Sequence, residues 1–245
     1  MDAEQVVHDE TFSGQDWALA EVNRVHYTDC AFHDVDWSEA RLTGCTFTHC
    51  QFGNVRFNAS SLVRTAITQS MLQRCSFFDA TLTDCKLTGC TFTHCQFGNV
   101  RFNAALVERT AFLQSIMQRC SFFDATLADC KLTGTQFVDC GLRPLTIDGG
   151  DWAFVSLRGQ NLTGAKLGGL RLRDADLTGA DLTRADLTNA DLANVRLKDA
   201  VLTGADLRGA DLDGVALKGV DISGAKIDLA QAALFAASYG AVVTG

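Results

Sequence analysis

Cysteine is the residue type whose number most suggests chemistry, because ten thiols could form disulfides or hold metal ions. Every cysteine falls on a position divisible by five, and no pair has the CxxC or CxxH spacing of a zinc site. In the second half of the chain, alanine fills the same slot. We therefore interpret the cysteines as small buried apolar residues and predict neither a metal site nor a disulfide framework. The ten are Cys30, Cys45, Cys50, Cys75, Cys85, Cys90, Cys95, Cys120, Cys130 and Cys140.

The other side chains that could do chemistry are histidines and carboxylates, and neither group forms a catalytic pattern. No GxSxG, HExxH, phosphate-loop or GxGxxG motif stands in a suitable setting. We therefore predict that the protein is not an enzyme and has no catalytic residue and no cofactor site. The five histidines are His8, His26, His33, His49 and His94.

The feature that must position all these residues is a series of large apolar side chains at every fifth position. From Phe12 to Ile227 all 44 such positions are apolar, and no insertion shifts the phase. Neither an α-helix nor an alternating strand places every fifth residue on one face. The remaining solution is a coil that turns a corner after every five residues and directs one large side chain inward from each side.

The clearest part of this pattern, residues 174–211, repeats the unit Ala-Asp-Leu-Thr-Xaa. The unit resembles the A(D/N)LXX motif of the pentapeptide-repeat family, over about residues 12–227. The resemblance implies an all-β fold, a right-handed quadrilateral parallel β-helix with four pentapeptides per coil, so that residues 20 apart stack. On this basis we expect about eleven coils, with an N-terminal tail at 1–11 and the β-helix at 12–227.

A coarser repeat lies within the pattern, because residues 45–89 recur as 90–134 with only nine differences. The offset of 45 residues preserves the five-residue phase but is not a multiple of 20. Each duplicated side chain should therefore lie on the neighbouring side of the coil. The solenoid is expected to tolerate such added repeats, because its stability is nearly a sum of contacts between neighbouring repeats.

The period changes after Ile227, where residues 228–245 are predicted to form a C-terminal capping and dimerisation segment. Asp228 can cap a helix, the following residues are rich in alanine, and Gly240 can end the helix. We expect one stripe of the helix to cover the open end of the coil. Apolar surface beyond that stripe would form a homodimer interface. The expected covering stripe is Leu229, Ala232, Ala233 and Ala236, and the expected interface is Leu234, Phe235 and Tyr239.

The net charge of −8 is unevenly distributed along the sequence. Residues 1–40 contain ten acidic residues and one arginine, whereas the remainder is almost neutral. This balance argues against direct binding of nucleic acid and favours a partner with a basic surface. No apolar run reaches the length of a membrane span, and residues 1–10 lack the features of a signal peptide, so we expect a cytoplasmic protein without a membrane partner.

Three segments carry a closer resemblance within the family. Leu-Arg-Pro-Leu-Thr-Ile-Asp at 142–148, with Leu-Arg-Gly-Gln-Asn-Leu at 157–162, looks like the mycobacterial fluoroquinolone-resistance type, MfpA, and so does the tail at 227–240. With the related Qnr proteins, this resemblance implies a head-to-head dimer that mimics DNA. Such a dimer would occupy the DNA-binding saddle of DNA gyrase, or of topoisomerase IV, and relieve poisoning by quinolones or natural toxins. The unbroken phase leaves no room for the projecting loops of Qnr-type proteins.

On this hypothesis outward aspartates in the slot before the central residue would contact gyrase. Residues 20 apart stack, which should place Asp191 with Asp211, Asp186 with Asp206, and Asp181 with Asp221. Arginines that lie between these aspartates weaken the negative electrostatic potential of the rod, so the charge pattern alone does not establish mimicry of DNA. The alternative is a scaffold rod, without catalytic activity, for another protein partner. The predicted contact residues are Asp176, Asp181, Asp186, Asp191, Asp206, Asp211 and Asp221.

Overall fold

The computed structural model describes residues 5–244, which form an all-β solenoid of the right-handed type followed by one short α-helix. The described residues contain nineteen short strands, and the helix α1 spans Leu229–Ser238. The strands are β1 Gln5–His8, β2 Thr11–Ser13, β3 Glu21–Asn23, β4 Val25–Thr28, β5 Ala31–His33, β6 Arg41–Thr43, β7 Thr46–Thr48, β8 Gln51–Gly53, β9 Ala66–Thr68, β10 Met71–Gln73, β11 Lys86–Thr88, β12 Thr91–Thr93, β13 Gln96–Gly98, β14 Leu106–Glu108, β15 Ala111–Leu113, β16 Ile116–Gln118, β17 Ala125–Lys131, β18 Gln136–Val138 and β19 Leu145–Asp151.

Parallel pairing between residues 20 apart builds the solenoid. Phe47 on β7 lies opposite Tyr27 on β4 and Ile67 on β9, so each strand bonds to the coil before it and the coil after it. The predicted stacking of residues 20 apart is confirmed. Pairing already begins at Gln5, opposite Val25, ahead of the boundary predicted at residue 12. Residues 1–4 of the predicted tail, and Gly245, lie outside the described residues.

The sides of the solenoid are less regular than predicted. The strands form one sheet of 14, one of three and one of two, rather than four equal sides. Regular strand extends through about seven turns and ends at β19, and isolated bridges with the same 20-residue spacing continue to Lys226. The prediction of about eleven coils in a regular quadrilateral is therefore wrong, because only about seven turns are built from regular strand. In the second half of the chain each pentapeptide forms a β-turn, closed for example by the hydrogen bond from the Ala180 N–H to the Leu177 carbonyl at 3.0 Å. The turn shortens the extended part of the pentapeptide to one residue, which pairs with the neighbouring coils through an isolated β-bridge.

The interior consists of the central residues and the small residues two places before them. Trp37, Phe77 and Leu187 are fully buried, and aromatic rings stack between coils, with Phe57 and Phe77 at a centroid distance of 4.8 Å. All ten cysteines are free thiols, nine of them buried and Cys140 half-buried. Burial raises the pKa of the Cys85 thiol to about 12, so such a thiol is inert at neutral pH. The prediction that cysteine fills a small buried slot is confirmed.

The duplicated segments occupy different sides of the solenoid. Thr46–Thr48 forms β7, in a column with β4 and β9, whereas its copy Thr91–Thr93 forms β12, between β10 and β15. The prediction that the copies differ by one side of the coil is therefore confirmed.

The corner that follows each central residue adopts a left-handed backbone conformation. Arg184, for example, has φ of 57° two places after Leu182. Proline cannot adopt a positive φ, so Pro144 interrupts this series. The chain there continues into the long strand β19, Gly150 takes φ of 114°, and a cavity of about 280 Å³ opens beside residues 142–147.

Helix α1 begins as predicted, but it presents a different face to the solenoid. Asp228 caps the helix, and Gln231 completes a capping box by accepting a hydrogen bond from the Asp228 N–H at 3.0 Å. The Gln231 side-chain amide also donates to the carbonyls of Leu207 and Ala210 at the end of the coil. Because these bonds turn Gln231 inward, Leu229 is 90% exposed, and the predicted covering stripe is wrong in that residue.

We expect Gly150→Ala to lower the free energy of unfolding more than an equivalent change at an open corner. A Cβ at Gly150 would overlap the Cys130 carbonyl oxygen, while one at Gly159, with φ of 64°, would have no atom within 4 Å. Positive φ costs alanine about 1–2 kcal/mol at either position, and the overlap adds about 1–3 kcal/mol at Gly150. Urea unfolding followed by circular dichroism measures both variants, and equal losses would contradict the close approach of the two coils.

Candidate partner-binding surface

The predicted contact aspartates have a structural role, because each lies just before a central residue, where its carboxylate can hydrogen-bond the backbone of the following corner. In each, the Oδ1 atom accepts a hydrogen bond from the backbone N–H two residues later, which closes an Asx turn at the corner. The donors are Thr178 to Asp176 at 3.0 Å, Thr183 to Asp181 at 2.9 Å, Thr188 to Asp186 at 3.0 Å, Ala193 to Asp191 at 3.2 Å, Arg208 to Asp206 at 3.3 Å, Asp213 to Asp211 at 3.0 Å and Ser223 to Asp221 at 2.9 Å. An aspartate in this slot therefore stabilises the corner whether or not it contacts a partner, although the corner also forms where Val201 fills the slot.

The seven aspartates do not form one surface. Asp186 pairs with Asp206, and Asp191 pairs with Asp211, on two neighbouring sides of the solenoid. Asp181 and Asp221 share a third side, but Val201 lies between them and pairs with both. Asp176 lies on the fourth side, opposite Arg196. A partner that approaches from one direction can therefore reach only some of the seven.

Ion pairs compensate four of these carboxylates. The Arg173 guanidinium lies 3.0 Å from Asp191 and 3.6 Å from Asp211 and so bridges that pair. Asp206 is 2.7 Å from Arg208 and 3.6 Å from Lys226. In the same way, Asp176 lies 3.0 Å from Arg158 and 3.5 Å from Arg196.

The other three aspartates have no cation paired with them in the described part of the chain. Within residues 5–244 no ion pair within 4 Å involves Asp181, Asp186 or Asp221. A threonine hydroxyl donates to each of them instead. The donors are Thr163 to Asp181 at 2.9 Å, Thr188 to Asp186 at 2.7 Å and Thr203 to Asp221 at 3.3 Å. A neutral donor leaves the carboxylate charge in place, so these three remain available to a basic partner.

The N-terminal end of the solenoid is more acidic than any of these columns. Residues 5–40, which we call the acidic end, carry eight acidic residues and Arg24 as their only lysine or arginine. Asp36 lies 2.7 Å from Arg56, Glu21 lies 3.7 Å from Arg41, and two histidines flank Asp29. Among the described residues the other acids of this end are exposed and have no ion pair. They are Asp9, Glu10, Asp16, Asp34 and Glu39.

A comparison of charge densities distinguishes the acidic end from the rest of the rod. At about 4.8 Å per coil of 20 residues, the 36 residues of this end occupy about 9 Å of axis. B-DNA carries one charge per about 1.7 Å, or about five charges in that length. The acidic end has a net charge of −7 with neutral histidines, whereas residues 41–245 are almost neutral. Over a segment of this length, the net charge density therefore reaches that of DNA only at this end, and the charge asymmetry of the sequence was the signal for it.

The helix at the opposite end carries the predicted dimer residues. Leu234 is 43% exposed and Tyr239 is 66% exposed, while Phe235 is half-buried against the core. The Tyr239 hydroxyl accepts a hydrogen bond from the Gly219 N–H at 3.3 Å, which fixes the end of the helix to the last coil. Exposed Val242 and Val243 extend this apolar surface.

Neither a metal centre nor a membrane span is evident in the part of the chain that the structure describes. Over residues 5–244 no group of three or more His, Cys, Asp or Glu side chains could hold a metal ion. None of the described helical segments is both long enough and apolar enough to cross a bilayer.

We expect acid to weaken the ion pair at Asp206. Arg208 hydrogen-bonds this carboxylate and lowers its pKa to about 2. A carboxyl group whose folded pKa is depressed stabilises the fold above its unfolded pKa of about 3.9, and the contribution is lost as pH falls from there through about 2. Arg208→Gln should raise the Asp206 pKa, measured by NMR titration, whereas Arg101→Gln, at an exposed arginine several coils away, should not. An unchanged pKa in Arg208→Gln would mean that the turn hydrogen bond and Lys226 set it without Arg208.

Comparisons with known proteins identify the repeat. A family model described as pentapeptide repeat region matches residues 20–91, and one described as pentapeptide repeats (8 copies) matches 156–194 and 190–230. Among solved structures, a trypsin-treated form of QnrB1, a plasmid-mediated fluoroquinolone resistance protein, is 18% identical, with 98% of this chain and 100% of that chain covered and a TM-score of 0.46. HetL, a pentapeptide repeat protein involved in heterocyst differentiation regulation in the cyanobacterium Nostoc, is 19% identical, with coverages of 91% and 87% and a TM-score of 0.32.

At such identities and TM-scores, neither structural likeness indicates what this chain does. A search of the curated proteins gives no significant match. The two family models together cover more than half of the chain, and their repeats coincide with the coils described above. This protein therefore belongs to the pentapeptide-repeat family.

Proposed function

We propose that this protein binds DNA gyrase, or topoisomerase IV, in place of DNA, and that it protects the enzyme from quinolones or natural gyrase poisons. The observation that carries the proposal is the acidic end, where the net charge per unit length reaches that of B-DNA. The resemblance of residues 142–162 and 227–240 to the mycobacterial resistance type points to the same partner. The protein would act without catalysis, as a cytoplasmic competitor for the DNA-binding groove.

The acidic end would make the main contact because five of its eight acidic residues are exposed and have no ion pair among the described residues. A groove built for DNA presents lysine and arginine to phosphate oxygens, and carboxylates at similar density satisfy the same groups. Asp181, Asp186 and Asp221 would add weaker contacts along the rod, since they also lack ion pairs among the described residues. The ion-paired aspartates, Asp176, Asp191, Asp206 and Asp211, would contribute little.

A homodimer through the C-terminal helix would place one acidic end at each tip. Parallel pairing at the 20-residue spacing extends from Gln5 to Lys226, so at about 4.8 Å per pairing each arm would extend about 50 Å and the pair about 100 Å, the length of about 30 base pairs of DNA. Bound in this way, the dimer would slow DNA supercoiling and also reduce the cleavage complexes that quinolones stabilise.

We expect neutralisation of the acidic end to abolish most of the effect on gyrase. The test variant carries Asp9→Asn, Asp16→Asn and Asp34→Asn, because asparagine keeps the polar contacts and tolerates the positive φ of Asp9 and Asp34. The concentration for half-inhibition of supercoiling should rise at least tenfold, and protection from ciprofloxacin-stabilised cleavage should fall in parallel.

The matched control removes the same number of charges from ion-paired positions, with Asp176→Asn, Asp206→Asn and Asp211→Asn. This variant should stay within about twofold of the unchanged protein. Equal losses in the two variants would contradict the role of the acidic end. If the unchanged protein neither inhibits supercoiling nor reduces drug-stabilised cleavage, the gyrase proposal itself fails.

We expect Leu234→Asp to dissociate the dimer, because it places a charge on exposed apolar surface that the second copy would cover. Leu234 suits the test better than Phe235, whose ring packs against the core and whose loss would also disturb the helix. Sedimentation velocity should show the monomer mass for Leu234→Asp and the dimer mass for Lys86→Gln, a change at an exposed position on β11. An unchanged dimer mass in Leu234→Asp would place the interface elsewhere.

A scaffold rod for another protein remains the second candidate. The observation that favours it is the compensation of four of the seven predicted contact aspartates by arginine and lysine, which is typical of a surface built for stability. Failure of the supercoiling and cleavage assays would support this candidate.

A further inference from the structure

The hydrogen-bond ladder between coils is interrupted on one side near the C-terminal end. One coil earlier on that side, residues 175–179 and 196–198 form the usual three bonds. The Leu177 N–H donates to the Arg196 carbonyl at 2.9 Å, and the Arg196 N–H donates to the Ala175 carbonyl at 3.0 Å. The third bond joins the Gly179 N–H to the Lys198 carbonyl at 2.8 Å.

The corresponding bonds between residues 195–199 and 216–218 are missing from the backbone hydrogen bonds of the described chain. The groups left without a ladder partner include the N–H groups of Leu197 and Asp199 and the Val195 carbonyl. The ladder is intact on both flanks, where Asn194 bonds to Asp213 at 2.8 Å and Leu202 bonds to Asp221 at 2.9 Å. The two coils therefore separate on a single side, and a cavity of about 870 Å³ lies at the opening.

The walls of this opening, which we call the slot, are basic in a protein that is otherwise acidic. Arg158, Arg196, Lys198 and Lys218 line it, with Asp199 as the lining acid. Asp176 is ion-paired with both arginines, at 3.0 and 3.5 Å. Neither lysine has an ion pair within 4 Å among the residues that the structure describes. The two lysines are therefore the cations that remain for a ligand.

We propose that the slot binds an extended, acidic peptide segment of a partner protein by strand addition. The unpaired backbone groups are those that the ladder elsewhere joins to a parallel strand, so they match the backbone of an extended chain. The free N–H groups belong to alternate residues, Leu197 and Asp199, and the carbonyl groups that one edge of an added strand presents also belong to alternate residues. Lys198 and Lys218 select carboxylate side chains on that strand, and the acidic end of the rod repels the same peptide.

The first test is amide hydrogen exchange by NMR with the full-length protein and the capped peptide Glu-Val-Glu-Val-Glu-Val. In the free protein the amides of Leu197 and Asp199 should exchange quickly, while those of Leu177 and Gly179 exchange slowly. Saturating peptide should slow exchange at Leu197 and Asp199 at least tenfold. Fast exchange at both amides in the presence of bound peptide would overturn the strand-addition geometry.

The second test is affinity, measured by fluorescence anisotropy with the labelled peptide. Lys198→Glu with Lys218→Glu should weaken binding at least tenfold, Asp199→Asn should strengthen it, and Lys86→Glu, on β11 far from the slot, should leave it unchanged. The peptide Lys-Val-Lys-Val-Lys-Val should not bind. A peptide with N-methylated valines that binds as well, or complete competition by millimolar pyrophosphate, would reduce the slot to a simple anion site and overturn the proposal.

Discussion

The parallel hydrogen-bond ladder between residues 20 apart is the constraint on which the rest of the molecule depends. Because every coil must lie directly on the previous one, the inward side chains form continuous columns and must match in size from coil to coil. The rings of Phe32 and Phe52, 4.9 Å apart and nearly parallel, are one result. The same stacking brings like side chains together on the outside, where two carboxylates one coil apart repel unless a cation lies between them. Arg173, between Asp191 and Asp211, meets this requirement.

This constraint explains why acidic residues indicate a binding surface only where no arginine or lysine pairs with them. In the middle and C-terminal coils, arginine and lysine are interleaved with aspartate, so the surface is almost neutral despite many acids. At the acidic end the compensation stops, and Asp9, Asp16 and Asp34 have no ion pair among the described residues. Like charges in this density oppose folding, and a solenoid tolerates them best at a terminal coil, which has a neighbour on one side only.

Much of the fold could be predicted from the sequence because it depends on spacing. The five-residue period predicts which residues are buried, the burial of the cysteines follows from their phase, and Asp228 with Gln231 indicates the start of the helix. The remainder depends on contacts that spacing does not encode. The direction of Gln231 follows from two carbonyls at the end of the coil, and the ion pair of Asp206 follows from the side-chain conformation of Arg208. The opening beside Leu197 involves a coil that keeps the repeat pattern, so no sequence signal announced it.

The duplication gives the two ends of the molecule a defined angular relation. A coil contains 20 residues, so an inserted segment changes both the distance between the ends and the direction in which each faces. A segment of 45 residues moves the acidic end about 11 Å farther from the C-terminal helix and rotates it by about 90° around the rod. A segment of 40 or 60 residues would change the distance alone. Residue count modulo 20 thus acts as an angular coordinate, and the length of an insertion determines which side of a partner the acidic end can face.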